Sequence, residues 1–471
     1  MTPVSHGKPC AGNPHARFEE GASAPETPRR NALLHKLEDV WMLLPGRKVG
    51  FGTIEVVGDT ITAIKLAENR EPKDAGRLVL PGLVNCHCHA PMTLLRGVGG
   101  GLPLKRWLEE AIFPKEAKLT DEDVHAGALW GAMEMLAGGT TCVADMYEWN
   151  YQHAFLEAGM RARVTTVGRL GAPGRLAECI SATRDWNEWM CGEARGDVYM
   201  DLCIHSEYLT DEHFCRELAA ANKDLGRRLH VHVSETKREH EECIARHGKT
   251  PIAYLADTGI LDHGGYAAHC VWCTDDDFRI MAERDISLVH NPTSNMKLGS
   301  GFARIVRAME LGVNVALGTD GTASNDNLDM FEEMHLASLI HKGLANDPTV
   351  LSPWDVIEMA TINGARALGL SDRIGSIEVG KDADLCLVDL HAPHLTPCLD
   401  IASLVVHSMH ASDVAATLLQ GDFTYDRLVP NADGTPCDRA YTPEAALDGP
   451  SWTTAEARQG LLAAVGRLGL L

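Results

Sequence analysis

Apolar and polar residues alternate with different periods in different parts of this chain, and the changes of period mark its elements. Between about residues 31 and 80 the pattern is short and two-fold. Phe51-Gly52-Thr53-Ile54-Glu55-Val56-Val57, a Gly58-Asp59 turn, and Thr60-Ile61-Thr62-Ala63-Ile64-Lys65 predict a β-hairpin. From Leu78 onward, apolar runs of strand length alternate with stretches of helical period. Strands are expected at 78–87, 140–146, 162–169, 198–205, 228–234, 265–271, 286–290 and 313–319. Helices are expected at Glu122–Leu136, Asp211–Leu225, Asp275–Ala282, Ala303–Leu311 and Leu328–Ile340, with Thr120, Thr210 and Thr274 as N-caps. Eight strand–helix units predict an α/β fold, a parallel (β/α)8 TIM barrel, with a doubly wound open sheet as the alternative.

After a helix over about Pro353–Leu368 the two-fold pattern returns. A strand is expected over Asp384–Val388, and others near 403–407 and 414–419. The β stretches on either side of the barrel are expected to pair into one small β-sandwich built from both chain ends. The division is then 1–30 as a flexible extension, 31–78 with 375–440 as the composite sandwich, 79–374 as the barrel, and 441–471 as a C-terminal helical tail.

Charge narrows the partners. With 65 acidic against 43 basic residues, the formal charge of −22 argues against nucleic acid and against an anionic membrane surface. No window approaches the roughly 18 uninterrupted apolar residues of a membrane span. Residues 1–30 hold no apolar stretch of the kind a secretory signal needs. The 14 cysteines are scattered singly, which suits reduced thiols in the cytoplasm better than a disulfide framework. Cys270-Val271-Trp272-Cys273 has no second such pair, so a zinc ribbon is not expected.

Candidate chemistry sits where a barrel would put it, at the C-terminal ends of the strands. The first expected strand ends in His87-Cys88-His89, the fourth in His205, the fifth in His230-Val231-His232-Val233-Ser234-Glu235. The sixth reaches His269, the seventh His290, the eighth Asp320. One buried histidine is more often a satisfied core residue than a ligand, but six such endings exceed what core packing alone would produce. In a strand, residues i and i+2 share a face, so His87 and His89 aim at one point. With His232 and Asp320 they make the simplest metal site, three imidazoles and a carboxylate, suited to one Zn2+ with Fe2+ as second choice. Glu235 is placed to carry a proton, and His269 to hold the water or the oxyanion from the other side. No strand offers a lysine to bridge a second metal.

Other motifs fail. Gly248-Lys249-Thr250 imitates the end of a P-loop, but Cys243 stands where its first glycine belongs. Pro9-Cys10, Pro397-Cys398 and Pro436-Cys437 all lack the second cysteine of the nucleotide-deaminase signature. Gly97 to Gly101 is expected to hinge a lid.

The run Pro81-Gly82-Leu83-Val84-Asn85-Cys86-His87-Cys88-His89-Ala90-Pro91-Met92-Thr93-Leu94-Leu95-Arg96-Gly97 resembles the first metal strand of the amidohydrolase superfamily. It is most similar to the branch of 5-methylthioadenosine/S-adenosylhomocysteine deaminases and s-triazine hydrolases. The similarity continues through His232-Val233-Ser234-Glu235-Thr236, Ala268-His269, His290 to Gly299, Leu317 to Asn325, and Gly375 to Leu385. Cys88 departs from it, since threonine usually stands between the two histidines.

The resemblance implies metal ligation by His87, His89, His232 and Asp320, with Glu235 as proton shuttle. It further implies Glu116 on the ribose hydroxyls, Arg169 and Arg175 on an amino-acid carboxylate, and His205 on the adenine. The expected activity is hydrolytic deamination of a 6-aminopurine nucleoside, such as S-adenosylhomocysteine, 5-methylthioadenosine or adenosine. The alternatives are the same machinery on guanine, a pterin or an s-triazine, and a barrel that binds metal and ligand without turnover. The family's habit points to a homo-oligomer.

Overall fold

The computed structural model describes residues 34–67, 76–147, 151–165, 176–192, 197–427 and 454–470. The chain begins with strands β1 (Leu34–Leu44), β2 (Lys48–Val57), β3 (Thr60–Leu66) and β4 (Arg77–Pro81). The expected hairpin is β2–β3, turning through Gly58 at φ 63°. Gly52, Ile54 and Val56 of β2 are buried in strict alternation, so one face is committed to a core.

Next come the strands β5 (Leu83–Cys88), β6 (Thr140–Met146), β7 (Arg161–Thr165), β8 (Val198–Cys203), β9 (Leu229–Val233), β10 (Gly265–His269), β11 (Ile286–His290) and β12 (Val315–Leu317). They form one eight-stranded sheet in sequence order, every neighbouring pair parallel. Both β5 and β6 are buried at every position, as strands covered on both faces must be. Asp320 N donates to His87 O at 2.9 Å, and Thr319 N to Asn85 Oδ1 at 3.1 Å, which sets the end of β12 beside β5. The alternation of period thus yields the (β/α)8 barrel.

The ends of the chain then pair. Strands β13 (Leu385–Asp389), β14 (Val414–Leu419) and β15 (Asp422–Asp426) complete a seven-stranded sheet ordered β15-β14-β13-β4-β1-β2-β3. Its edge strand β3 and the β2–β3 turn meet the segment entering β13, with Ile61 N donating to Lys381 O at 2.9 Å and Ala383 N to Asp59 O at 2.7 Å. Met42, Ile54, Val79, Leu385 and Leu418 meet in a core between its two halves, apart from the barrel's.

Three of the expected elements change. The strand expected at 78–87 is two strands in two sheets. β4 pairs with β1 and β13, while β5 pairs with β6, and Gly82 separates them. A Cβ at Gly82 would fall 2.1 Å from Thr141 Oγ1, so only glycine lets the chain cross there. The stretch near 403–407 is a helix, Ile401–His407. Its β-branched residues imitate a strand, but Asp400 caps it through Ser403 N, and Ile401, Ala402, Val405 and Val406 are buried at helical spacing. The stretch Pro353–Leu368 is two helices, Pro353–Met359 and Ile362–Ala367, broken at Thr361.

Elsewhere the helices fall as expected, except that Asp211, not Thr210, caps Glu212–Leu225 through Phe214 N. The described part of the C-terminal tail is the helix Thr454–Arg467. It docks on Asp121–Ala137, where Arg467 Nε donates to Asp123 Oδ1 at 2.9 Å. At the other end of the barrel, the buried guanidinium of Arg161 meets Asp384 at 2.9 Å and Asp382 at 2.8 Å, carboxylates of the segment entering β13.

Candidate active site

The ends of the barrel strands converge on one point. His87 and His89 lie at the end of β5, His232 in β9, His269 at the end of β10 and Asp320 just after β12. Ligand atoms of His87, His89 and Asp320 lie within 4.8 Å of one another, as do those of His87, His232 and His269. Two of these residues need unusual backbone to face inward: φ is +71° at His269 and +63° at Asp320. Side chains with a Cβ rarely adopt such angles, and they gather where function requires them.

Hydrogen bonds fix which ring nitrogens face the centre. His89 Nδ1 donates to Met146 O at 2.6 Å, and His232 Nδ1 donates to His205 O at 2.7 Å. In the neutral rings both Nε2 atoms then bear lone pairs, and they stand 3.2 Å apart. His87 Nε2 is buried with no hydrogen-bond partner, and its other nitrogen lies 2.8 Å from His230 Nε2. Asp320 Oδ1 is 3.2 Å from His89 Nε2 and 3.4 Å from His87 Nε2. Such an arrangement of converging lone pairs and a carboxylate is repulsive unless a positive charge sits among them.

The titration behaviour points the same way. Burial pulls His87 down to about 4 and His232 well below the ordinary histidine value. His89 goes up to about 9, because the hydrogen bond and charge of Asp320 outweigh its burial. Left to themselves the residues keep one proton at His89; a divalent ion would satisfy all the inward nitrogens at once. Asp320 is also held in place, accepting from Ser294 Oγ at 2.6 Å and Gly321 N at 2.8 Å. The donor set therefore fits a metal with imidazole and carboxylate ligands.

Glu235 follows β9 on a turn through Ser234 at φ 47°. Only 5% of it is exposed, and burial raises its pKa. Its Oε2 is 3.8 Å from His269 Nε2, and its Oε1 accepts from Ser300 Oγ at 3.3 Å. The backbone of the turn is gripped by Glu239, whose carboxylate accepts from Ser234 N and Glu235 N, both at 2.8 Å.

His89, His232, Glu235, His269 and Asp320 line one pocket of about 770 Å3, the open solvent at its mouth included, and His87 lies just behind them. Glu116 and His205 line it as well, together with an apolar wall of Met92, Trp107, Leu108, Phe113 and Leu298. Glu116 is 4% exposed and accepts from Tyr147 Oη at 2.7 Å. Trp107 begins an irregular turn, Trp107–Ile112, and its Nε1 donates to Val98 O at 3.1 Å. The structure thus gathers His87, His89, His205, His232, Glu116, Glu235, His269 and Asp320 in one place. Arg169 and Arg175 lie outside the described residues. His290 takes no part: it is buried 3.4 Å from His341.

Sequence reasoning passed over Glu239, Ser294, Asn295, Ser300, Tyr147 and His230. Glu239 carried a signal, since Thr236-x-x-Glu239 is a capping box and the structure forms it. His230 carried one as well, being two residues before His232 on the same face of β9. The others are ordinary polar residues until the fold brings them in.

The Amidohydrolase family profile matches residues 78–424, which span the whole barrel and both halves of the junction with the small sheet. The chain belongs to the amidohydrolase family. This amidohydrolase is 41% identical over 373 residues to the 5-methylthioadenosine/S-adenosylhomocysteine deaminase of Caldanaerobacter subterraneus, covering 78% of this chain and 86% of that one. It is 43% identical over 349 residues to the 5'-deoxyadenosine deaminase of Methanothermobacter thermautotrophicus, covering 74% and 81%. A solved adenosine deaminase from Xanthomonas campestris with bound zinc superposes with a TM-score of 0.80 at 30% identity, over 92% of this chain and 99% of that one.

Proposed function

We propose that this amidohydrolase deaminates 6-aminopurine nucleosides hydrolytically, releasing ammonia and the inosine analogue. One observation carries the reading: a buried carboxyl fit for proton transfer, Glu235, and a second buried carboxylate, Glu116, line the same pocket as a cluster of metal-competent nitrogens. The names of the relatives support it, since they are deaminases of adenine nucleosides carrying different 5' groups.

His87, His89, His232 and Asp320 would hold one divalent ion, Zn2+ as first choice and Fe2+ as second. Such an ion, when bound, makes water nucleophilic at neutral pH by lowering its pKa. The chain's own residues do the rest. His269 orients the water from beside Glu235. Water adds at C6 of the purine while Glu235 delivers a proton to N1, and the raised pKa of Glu235 suits a group that must both take and give one. In giving that proton the carboxyl takes one from the water that adds, and as the C6–N bond breaks it carries the remaining proton of the new C6 hydroxyl to the amine, which leaves as ammonia while C6 becomes a carbonyl. Glu116, oriented by Tyr147, accepts from the two vicinal hydroxyls of the ribose. His205 contacts the adenine, and Arg169 and Arg175 are assigned to the carboxylate of an amino-acid 5' substituent.

The proposal places the enzyme in the cytoplasm as a homo-oligomer acting on small molecules. Among the described residues, no helix is long and apolar enough to cross a membrane.

The test is metal analysis joined to an ammonia-release panel. S-adenosylhomocysteine, 5-methylthioadenosine, 5'-deoxyadenosine or adenosine should be consumed. Silence on all four beside turnover of guanine or an s-triazine would overturn the reading. Glu235→Gln should keep its metal and lose about 100- to 10,000-fold in kcat, the usual range for a general acid–base group. Chelation should stop turnover and leave the fold standing; if it unfolds the protein, the metal is a structural scaffold instead.

A further inference from the structure

The segment 294–300 touches three parts of the proposed machinery at once. Ser294 Oγ donates to Asp320 Oδ2 at 2.6 Å, Asn295 Oδ1 accepts from His269 Nδ1 at 2.9 Å, and Ser300 Oγ donates to Glu235 Oε1 at 3.3 Å. The segment is itself tied down. Ser300 N and Gly301 N both donate to Asn295 O, at 2.9 and 3.4 Å, and Leu298 N donates to Ser294 O at 3.0 Å. Trp272 Nε1 donates to Ser300 O at 2.9 Å. Left-handed φ values of 69° at Gly299 and 123° at Gly301 close the loop, and a Cβ at Gly301 would stand 3.0 Å from Val271. Asn295 and Ser300 are 1% and 5% exposed, so their side chains have little freedom.

We propose that Asn295 and Ser300 are positioning residues for the reaction. Asn295 sets which nitrogen of His269 carries the proton, and Ser300 sets the rotation of the Glu235 carboxyl. The proposal rests on the deaminase reading above.

His269 Nδ1 has two amide neighbours with opposite demands. Asn295 Oδ1 can only accept and is 2.9 Å away, while Asn291 Nδ2 can only donate and is 3.3 Å away. A bare Nδ1 would set two lone pairs at the shorter distance; a protonated Nδ1 sets two N–H groups at the longer one. The second costs less, so in the neutral ring the proton sits on Nδ1. His269 Nε2 is then an acceptor, facing Glu235 Oε2 across 3.8 Å. An acceptor takes a hydrogen of the attacking water and cannot donate to an oxyanion, which narrows the two roles open to His269. Ser300, by holding Oε1, leaves Oε2 as the oxygen turned toward that gap. Neither residue lines the pocket, so each acts through the group it holds.

Four variants test this: Asn295→Leu and Ser300→Ala remove the bonds, Asn295→Asp and Ser300→Thr keep them. Each is purified with metal, and kcat, KM, metal content and the ring 15N spectrum of histidine-labelled protein are measured. Asn295→Leu and Ser300→Ala should each lose about 10- to 100-fold in kcat, the scale at which supporting bonds act, with KM and bound metal close to wild type. Asn295→Asp and Ser300→Thr should recover most of that loss. The spectrum should show a ring protonated on Nδ1 in wild type and Asn295→Asp, and that signal should change in Asn295→Leu. Unchanged kcat in the disruptive variants, or an equal loss in the conservative ones, overturns the proposal. If Asn295→Leu does not fold, Ser300→Ala and the Asn295→Asp spectrum decide. A wild type inactive on every nucleoside would overturn the deaminase reading, and the ring spectrum would still judge the role of Asn295.

Discussion

Glu333 is fully buried, and its carboxyl accepts from Asn325 Nδ2 at 2.7 Å and Thr293 N at 3.3 Å. Asn325 Nδ2 also donates to Thr319 O at 2.7 Å, next to Asp320, so Glu333 steadies the site from behind. Burial pushes its pKa from the ordinary 4.5 up to about 8, against bonds that favour the anion. The folded state therefore holds this proton more tightly than the unfolded one. The stabilisation is complete below the unfolded pKa and is lost as pH rises through about 8. Glu333→Gln should lose less melting temperature than wild type between about pH 6 and about pH 9; parallel curves would refute the assignment. The ligand-competent residues were legible in the sequence because each ends a strand and each is a His or Asp. Their supports were not, since Asn295, Ser300 and Tyr147 have no spacing that sets them apart from surface polar residues. Only the folded loop gives them partners.

Among the elements, the helix Ile401–His407 shows how a local pattern misleads. Ile401, Val405 and Val406 are β-branched and apolar, and tertiary burial of one face overrides that propensity. The cap makes the difference, with Asp400 Oδ1 accepting from Ser403 N at 3.2 Å. Asp400→Ala should cost about 1 kcal/mol in urea unfolding and leave kcat untouched, because the helix lies away from the pocket. An unchanged midpoint would mean that packing alone holds it. The barrel strands were more legible, since buried parallel strands read as uninterrupted apolar runs. Where two such runs abut, as at Leu78-Val79-Leu80 and Leu83-Val84, period cannot reveal that they belong to different sheets. Pairing decides that, and Gly82 is the only local mark of it.

Across the whole molecule, one buried cation fastens the small sheet to the barrel. Arg161 stands on β7 with no exposed surface, and its guanidinium meets Asp197 as well as Asp382 and Asp384. Arg373 adds bonds to Asp197 and Asp382, both at 2.7 Å. Removing Arg161 takes the cation from buried Asp384 and leaves Asp197 and Asp382 to Arg373. Arg161→Ala should therefore lose roughly 3–5 kcal/mol in equilibrium unfolding. A loss under about 1 kcal/mol would show that Arg373 and Arg163, which also meets Asp197, suffice to neutralise the three carboxylates. The composite sheet was legible as β texture at both ends; that the ends meet at a charged joint was not. That joint and the crossing at Gly82 lie on one path, since Gly82 N donates to Asp384 O at 2.8 Å. Five residues further on stands His87. The first histidine of the site is thus moored to parts of the chain some 300 positions away in sequence. Trimming either flank of the barrel to obtain a smaller catalyst would cut the mooring of the very strand that carries the two ligand-competent histidines. In this protein the small sheet sets the minimum size of a working enzyme.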